Sequence, residues 1–396
     1  MIRFDEDSYA LEILKVIALS GEFPFNFLDH INSDRNKIIY QRTIRKLKEE
    51  KYVTVSGNGE LKTIRMTRKG LETLKQYDED SENYLGYYEH YMSVSNNHHF
   101  RAGVYKNKDD VGKRQTMRRH RLAEAMWLMR RIDAEILPNE KPELSLKNPE
   151  NRIEKDEMAF YTSIEIKNLD KEQKYKTEFT RILGVLYSPG GIYSIYNTNK
   201  GKMKWNNQGE QKAKVLVDDI TRTNYLVDSD KSYDINNSII IGKDINLMNE
   251  ILKSNDGKRD SNGFELLSFN NSYDNIYYIT LDNNGYIQLV LITRDNWKER
   301  MRLSILPKEA LEVNPAYLSI DCDAYDKKTE TFYLIFHDGN IARLRRFKEA
   351  MYGSEKKFKV YCFEFQEEAV AEYLEGMAEI EVVELDDFIN EFTNIF

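Results

Sequence analysis

The chain has 396 residues, enough for two or three domains and at least one large hydrophobic core. Apolar residues make up 41% of it and charged residues 31%, a balance that predicts a soluble, folded protein rather than a disordered one. The net charge is −8, the apolar runs fall far short of the about 20 residues of a membrane-spanning helix, and the start shows no secretory pattern, so we expect a cytoplasmic protein without a membrane partner.

Helical periodicity is clearest in the first 76 residues. The stretch "SYALEILKVIALSG" predicts a first helix ended by Gly21, "FPFNFLDHI" a short second helix, and "SDRNKIIYQRTIRKLKEEKYV" a longer third helix. The apolar residues that we expect this third helix to bury are Ile38, Ile39, Ile44 and Leu47. The strands "YVTV" and "TIRMT" predict a hairpin with Asn58-Gly59 at its tip, and the helix "RKGLETLKQY" follows.

This order of elements resembles the winged helix-turn-helix family of DNA-binding proteins over about residues 7–77, and "IRMTRKGLETL" is similar to the family's passage from wing to helix. The resemblance implies that residues 1–77 form a domain whose third helix enters the major groove of double-stranded DNA. The residues of that helix expected on its open face are Arg35, Lys37, Tyr40, Gln41, Arg42 and Arg45. Arginine can pair with guanine edges and glutamine with adenine edges. Winged helices also bind proteins, so both partners stay open.

Residues 78–140 read as a connector that contains a long basic helix, "GKRQTMRRHRLAEAMWLMRRIDAEIL". Residues 101–131 hold ten Lys or Arg and three acids in a chain that is otherwise acidic. Such a segment favours contact with a polyanion, although it could also pack on acidic parts of the same chain. The cations that we expect to contact DNA phosphates are Lys113, Arg114, Arg118, Arg119 and Arg121.

From residue 141 to residue 396, apolar strands alternate with amphipathic helices, which predicts a larger α/β domain with a mostly parallel sheet. An alternative division into two modules breaks near residues 225–237. The clearest strand–helix units are "SIIIGKDINLMNEILKS", "TFYLIFHDGNIARLRRFKEAM" and "KVYCFEFQEEAVAEYLEG". The residues that follow their strands are Lys243, Asp244, His337, Asp338, Asn340, Glu364 and Gln366. These side chains would converge if the strands are neighbours. Alternatively, Asp244, Asp338 and Gln366 simply initiate the helices that follow them.

The stretch "FYTSIEIK" predicts a strand that places Glu165 and Lys167 on one face. A Glu-x-Lys pair of this kind holds Mg²⁺ in nucleases of the restriction-endonuclease-like fold, and the two residues are weak catalytic candidates. No second acid follows an apolar strand upstream, so we expect no DNA cleavage. The cysteines Cys322 and Cys362 lack metal-ligand spacing. We therefore expect no metal and no cofactor, with Mg²⁺ required only under the nuclease alternative.

A second resemblance covers more of the chain. The winged helix, the basic "RRHRLAEAMWLMRR" helix and a domain with "FYTSIEIK", "ILGVLYSPGGIYSIYNT" and "FEFQEEAV" resemble, in that order, the replication-relaxation family of plasmids and integrative conjugative elements. The resemblance implies a DNA-binding role in replication or transfer of such a mobile genetic element. It also implies other replication or transfer proteins as partners, with a homodimer as one option. The alternatives are the metal-dependent nicking enzyme and a non-enzymatic adaptor that binds proteins.

Overall fold

The structure is a computed structural model, and its described residues fall into ten ranges. These are 2, 4, 8–30, 34–85, 108–170, 180–199, 207–225, 236–253, 273–312 and 318–384. The chain divides into two compact units, Met1–Glu143 with Pro149–Ile153, and Leu144–Asn148 with Glu154–Phe396. The fold class is α+β, with three sheets in the described ranges. In the same ranges, no helix combines the length and the apolar character needed to cross a bilayer.

The N-terminal unit contains α-helices and a small antiparallel sheet. Its elements are α1 (Tyr9–Ser20), β1 (Phe23–Pro24), α2 (Asp34–Glu49), β2 (Val53–Ser56), β3 (Thr63–Met66), α3 (Arg68–Tyr77) and α4 (Lys108–Arg131). A 3-10 helix over Phe25–His30 replaces the short second helix expected there. The strands pair in the order β1-β3-β2, so the expected hairpin is present, and β1 adds a third strand to it.

Gly21 ends α1 as the sequence predicts, and short polar residues cap the starts of α1 and α3. The Ser8 side chain accepts a hydrogen bond from the Leu11 N–H and begins α1, while Gly21 ends it with a φ of 82°. Thr67 caps α3 in the same way, by accepting from the Gly70 N–H. Capping satisfies backbone donors that have no partner inside the helix, which is why short polar residues mark these starts.

The C-terminal unit contains two larger sheets and the helices that follow their strands. Its elements are β4 (Ala159–Thr162), α5 (Ser163–Leu169), β5 (Gly184–Ser188), β6 (Gly191–Asn199), α6 (Asn207–Asn224), β7 (Asn237–Gly242), α7 (Asn246–Lys253), β8 (Asn275–Thr280), α8 (Asn283–Ile292), α9 (Trp297–Ile305), β9 (Ala324–Asp326), β10 (Thr331–Ile335), α10 (Ile341–Met351), β11 (Lys357–Phe363), α11 (Glu364–Leu374) and β12 (Glu379–Val383). The strand and helix of each of the three expected units are therefore present.

The strands of the C-terminal unit do not form one sheet. The five-stranded sheet has the order β4-β5-β6-β7-β8, with β6, β7 and β8 parallel and the first two pairings antiparallel. The four-stranded sheet has the order β12-β11-β10-β9, and only β9 is antiparallel to its neighbour. A mostly parallel sheet is thus present, but it holds only two of the three units. The alternative break near residues 225–237 falls mainly outside the described ranges.

Because the units lie in two sheets, the polar residues after their strands do not share one edge. Lys243 and Asp244 follow β7 in the five-stranded sheet, whereas His337, Asp338 and Asn340 follow β10 in the other. Several of these residues initiate helices. They are Asp244, which accepts from the Leu247 N–H at 3.2 Å, Asn340, which accepts from the Arg343 N–H at 3.2 Å, and Gln366, which accepts from the Phe363 N–H at 2.9 Å. The helix-initiating interpretation is confirmed for Asp244 and Gln366. It is wrong for Asp338, whose carboxylate accepts from the Asn340 N–H at 2.9 Å, while Asn340 caps the helix in its place.

The helix α4 is the centre of the N-terminal unit and not only a basic rod. All residues from 122 to 129 are buried. The Trp127 ring makes edge contacts with Phe23, Phe27 and Tyr40, at centroid distances of 5.8, 6.2 and 5.0 Å. Such edge-to-face contacts add to the stabilisation that comes from burying large aromatic surfaces. The second half of α4 therefore joins β1, the 3-10 helix and α2 into one core.

A fully buried carboxylate, that of Glu22, connects α4 to the small sheet. Its Oε1 accepts hydrogen bonds from the Arg119 Nη1 at 2.7 Å and from the Arg65 Nη2 at 2.7 Å. Its Oε2 accepts from the Thr63 hydroxyl at 3.3 Å. Glu22 has no exposed surface and Arg119 is only 5% exposed, so neither charge can turn to water instead. A buried pair of this kind is stable only with good geometry and full hydrogen bonding.

We predict that Glu22→Gln destabilises the N-terminal unit by about 3–5 kcal/mol, because it removes the buried negative charge that pairs with Arg119 and Arg65. The measurement is urea-induced unfolding of the full chain, followed by circular dichroism. The matched control is Glu72→Gln on α3, whose carboxylate pairs with Arg68 where both side chains are exposed. That variant should lose less than about 1 kcal/mol. Equal, small losses in both variants would contradict the central role of Glu22.

Candidate nucleic-acid interface

The helix α2 has one buried face and one exposed face. Tyr40, Ile44 and Leu47 recur at i, i+4 and i+7 and are buried at 5%, 3% and 0% exposure. The exposed side chains of this helix are Ile38, Gln41, Arg42, Arg45, Lys46, Lys48 and Glu49. Lys37 is half-buried at the boundary, and the side chain of Arg35 lies outside the described residues. The exposed face is therefore polar and mostly cationic.

Two predictions for α2 are wrong, because the residue expected to be exposed is buried and a residue expected to be buried is exposed. The sequence pattern places Tyr40 on the open face, but it is buried, with its ring 4.6 Å from the Tyr9 ring and 5.0 Å from the Trp127 ring. Burial raises the pKa of the Tyr40 hydroxyl far above its usual range, so it stays neutral. The same pattern places Ile38 in the core, but it is 47% exposed. The reason is angular, because Ile38 lies about 120° around the helix from Ile44.

One stripe of the exposed face follows the spacing i, i+3, i+4 and i+7. Its members are Ile38, Gln41, Arg42 and Arg45. Side chains at this spacing are neighbours on the helix surface. The Arg45 Nε lies 3.9 Å from the Glu49 carboxylate, and both side chains are more than 60% exposed. An ion pair as exposed as this is worth little, so the guanidinium can exchange Glu49 for another anion at small cost.

The basic residues of α4 divide into a surface group and an internal group. Lys113, Arg114 and Arg118 are exposed at its N-terminal end, and Arg121 is half-buried. The sequence expectation of a phosphate contact for Arg119 is wrong, because this residue is buried against Glu22. Among the described residues of α4, the exposed cations that agree with the predicted phosphate contacts are therefore Lys113, Arg114 and Arg118.

The hairpin beside α4 ends in a tight, well-defined turn. Gly57 has a φ of +80°, and a Cβ atom there would lie 2.3 Å from the Leu61 carbonyl oxygen, so only glycine fits. A 3-10 helix over Gly59–Leu61 forms the tip in place of a two-residue turn. The Asn26 side chain donates to the Gly59 carbonyl at 3.1 Å. Lys62 lies over the Phe25 ring, 3.6 Å from its centroid.

His120 on α4 is buried next to this hairpin tip. Burial lowers the pKa of its imidazole to about 4, although the nearby Glu22 carboxylate and a hydrogen bond with the Glu60 backbone act in the opposite direction. The imidazole is therefore neutral at physiological pH. It adds no positive charge to the basic part of α4, and its role is internal packing between helix and hairpin.

The pair Glu165 and Lys167 does not form the expected strand-edge site. The strand β4 ends at Thr162, and both residues lie in the helix α5. Two residues apart in a helix means about 200° of rotation, so the side chains leave on opposite sides. Glu165 closes a capping box, in which its Oε2 accepts from the Thr162 N–H at 2.7 Å and its own N–H donates to the Thr162 hydroxyl at 3.4 Å.

The wrong expectation for this stretch has a clear cause. The alternation in "TSIEIK" favours a strand, but Thr162 and Glu165 also match the S/T-x-x-E signature of a helix start. The Thr162-x-x-Glu165 signature would have predicted the helix start correctly. Lys167 lies near the buried carboxylate of Glu210, whose pKa is raised by burial and lowered in part by this lysine. Among the described residues, no three His, Cys, Asp or Glu side chains are grouped to hold a metal ion.

Comparison with protein-family models, with curated proteins and with solved structures gave no significant match. The functional assignment therefore depends on the residues themselves.

We predict that Glu165→Ala destabilises the C-terminal unit by about 1 kcal/mol, since it removes the hydrogen bond to the Thr162 N–H. Glu165→Gln is the matched control, because glutamine can close the same capping box. It should leave the stability nearly unchanged. Thermal unfolding of the two variants measures the difference. If both variants lose the same stability, the negative charge of Glu165 matters, and the helix-start explanation fails.

Proposed function

We propose that the N-terminal unit is a winged helix-turn-helix that binds double-stranded DNA with α2 in the major groove. The order α1, β1, α2, β2, β3 and the sheet order β1-β3-β2 support this assignment. The observation that carries the proposal is the group Gln41, Arg42 and Arg45 on one exposed face of α2. The opposite face of the same helix is fixed in the core through Tyr40.

The chemistry of this face suits the edges of base pairs. Arginine can donate two hydrogen bonds to guanine O6 and N7, and glutamine can pair with adenine N6 and N7. The helix has 16 residues and is thus about 24 Å long, while the major groove is about 12 Å wide. Tyr40 packs against Trp127 on the inner side of α2, so the helix is already positioned before its exposed face meets DNA.

Phosphate contacts are proposed for the N-terminal end of α4 and not for its whole length. Lys113, Arg114 and Arg118 are exposed there, on a helix whose second half is buried in the same unit as α2. Cations on a rigid helix bind the phosphate backbone without reading sequence, and they fix the register of the base-reading helix. Arg119 is left out of this set because its charge is already paired with Glu22.

A role in a mobile genetic element is a further part of the proposal. Its support is the order of motifs that resembles the replication-relaxation family, and it implies that the DNA target lies in the plasmid or conjugative element itself. Other replication or transfer proteins, or a second copy of the chain, would then be partners. Immunoprecipitation of the protein with DNA from its own cells tests this, because recovered fragments should map to one element rather than across the chromosome.

A protein-binding adaptor is the second candidate function. The observation that favours it is Ile38, which places an exposed apolar side chain among the cations of α2. An acidic partner protein with an apolar groove would fit such a face. The two candidates separate in a simple binding assay, since a DNA-binding face retains duplexes from a randomised pool and an adaptor face retains none.

We predict that Arg42→Ala and Arg45→Ala each weaken binding to selected duplexes by about 1–3 kcal/mol, because each removes a hydrogen-bonding group from a base edge. The duplexes are those that the full chain enriches from a randomised pool, and fluorescence anisotropy measures the affinity. Arg222→Ala is the matched control, since Arg222 is also exposed on a helix and paired with an acid, Asp218, but lies in the C-terminal unit. Unchanged affinity in both α2 variants would reject α2 as the reading helix.

We predict a different signature for Lys113→Ala combined with Arg114→Ala. Affinity for any duplex should fall, and the log–log slope of affinity against salt should flatten by about 0.9 for each phosphate that the variant no longer binds. Sequence preference should stay the same, because phosphates carry no base information. Stability should also stay the same, since exposed cations contribute little to folding. A changed preference with an unchanged slope would contradict the phosphate role.

A further inference from the structure

The exposed isoleucine of α2 lies inside the polar stripe of the proposed reading face. Ile38 is 47% exposed, and Gln41, Arg42 and Arg45 follow it at i+3, i+4 and i+7. A single exposed apolar side chain needs no explanation elsewhere on a protein surface. Here its neighbours along the stripe are the side chains proposed to read base edges, so it would meet the same groove.

Ile38 lies one helical turn from Arg42. It precedes Arg42 by four residues, which is about 6 Å along the axis of α2. Side chains at this spacing are neighbours on the same face of the helix. With Arg42 at a base edge, Ile38 therefore faces the same part of the groove.

The side chain of isoleucine can read only one feature of the major groove. It has no donor or acceptor, so a guanine, cytosine or adenine edge pressed against it would lose hydrogen bonds to water without replacement. The C5-methyl group of thymine is the apolar feature that the groove offers. A methyl group against an aliphatic side chain is stabilised by removal of both surfaces from water.

We propose that Ile38 determines specificity by contacting a thymine methyl group close to the base read by Arg42. This inference rests on the proposed DNA-binding function of α2 and goes beyond it, because it names the base at one position and the atom that is read. It also gives a reason for an apolar residue on the outer side of α2, where Ile38 lies outside the core.

The test uses the full chain and duplexes selected from a randomised pool. Each thymine of the selected site is replaced in turn by deoxyuridine, which removes the methyl group and nothing else. For the wild-type chain, one replacement should lower the affinity about three- to ten-fold, the effect of one buried methyl group. In Ile38→Ala that replacement should have no effect, while Arg42→Ala should keep its sensitivity to the methyl group.

The matched control is Leu303→Ala, which removes another exposed aliphatic side chain from a helix, α9, of the C-terminal unit. It should discriminate thymine from deoxyuridine as the wild type does. Equal binding of both duplexes by the wild type, or discrimination that survives in Ile38→Ala, would overturn the inference and leave DNA binding intact. If the wild type enriches no sequence and Arg42→Ala changes nothing, the proposed function itself fails, and Ile38 belongs to a protein-binding face.

Discussion

The N-terminal unit depends on the burial of one carboxylate. Glu22 has no contact with water, and its partners Thr63, Arg65 and Arg119 come from positions 41, 43 and 97 residues away. A buried charge is tolerated only when its hydrogen bonds are made. A shifted register between β1 and β3, or a rotated α4, would leave Glu22 unpaired. The carboxylate therefore selects one arrangement among those that hydrophobic burial alone would allow.

That constraint extends to the face that we propose reads DNA. Arg119 and Trp127 lie on the same helix, eight residues and thus about 12 Å apart. The Glu22 pair fixes the position of α4, and Trp127 then packs against Tyr40 on the inner side of α2. The outward direction of Arg42 and its neighbours is consequently set by contacts on the opposite side of the helix. The proposed DNA-reading function therefore depends on a polar contact inside the unit, between Glu22 and Arg119.

The fold was predictable where the signals are local, and the site was predictable only in part. The helix end at Gly21 and the hairpin "YVTV…TIRMT" follow from residues adjacent in sequence. The exchange of Ile38 and Tyr40 could not be settled that way, because Trp127, the partner that holds Tyr40, lies 87 residues further along the chain. In "FYTSIEIK" the alternation favours a strand and the capping box favours a helix start. The helix forms from Ser163 onward, because the last residue of β4 that pairs with β5 is Thr162.

Charge counted along the sequence also differs from charge at the surface. Residues 101–131 are strongly basic, yet Arg119 is neutralised by Glu22, and Arg130 pairs with Glu135 and Glu140. His120 adds nothing, since burial lowers its pKa to about 4. These pairings cannot be read from composition, because their acids lie elsewhere in the chain. The cationic surface is therefore smaller than the sequence implies, and the phosphate contacts proposed for α4 are limited to its N-terminal end.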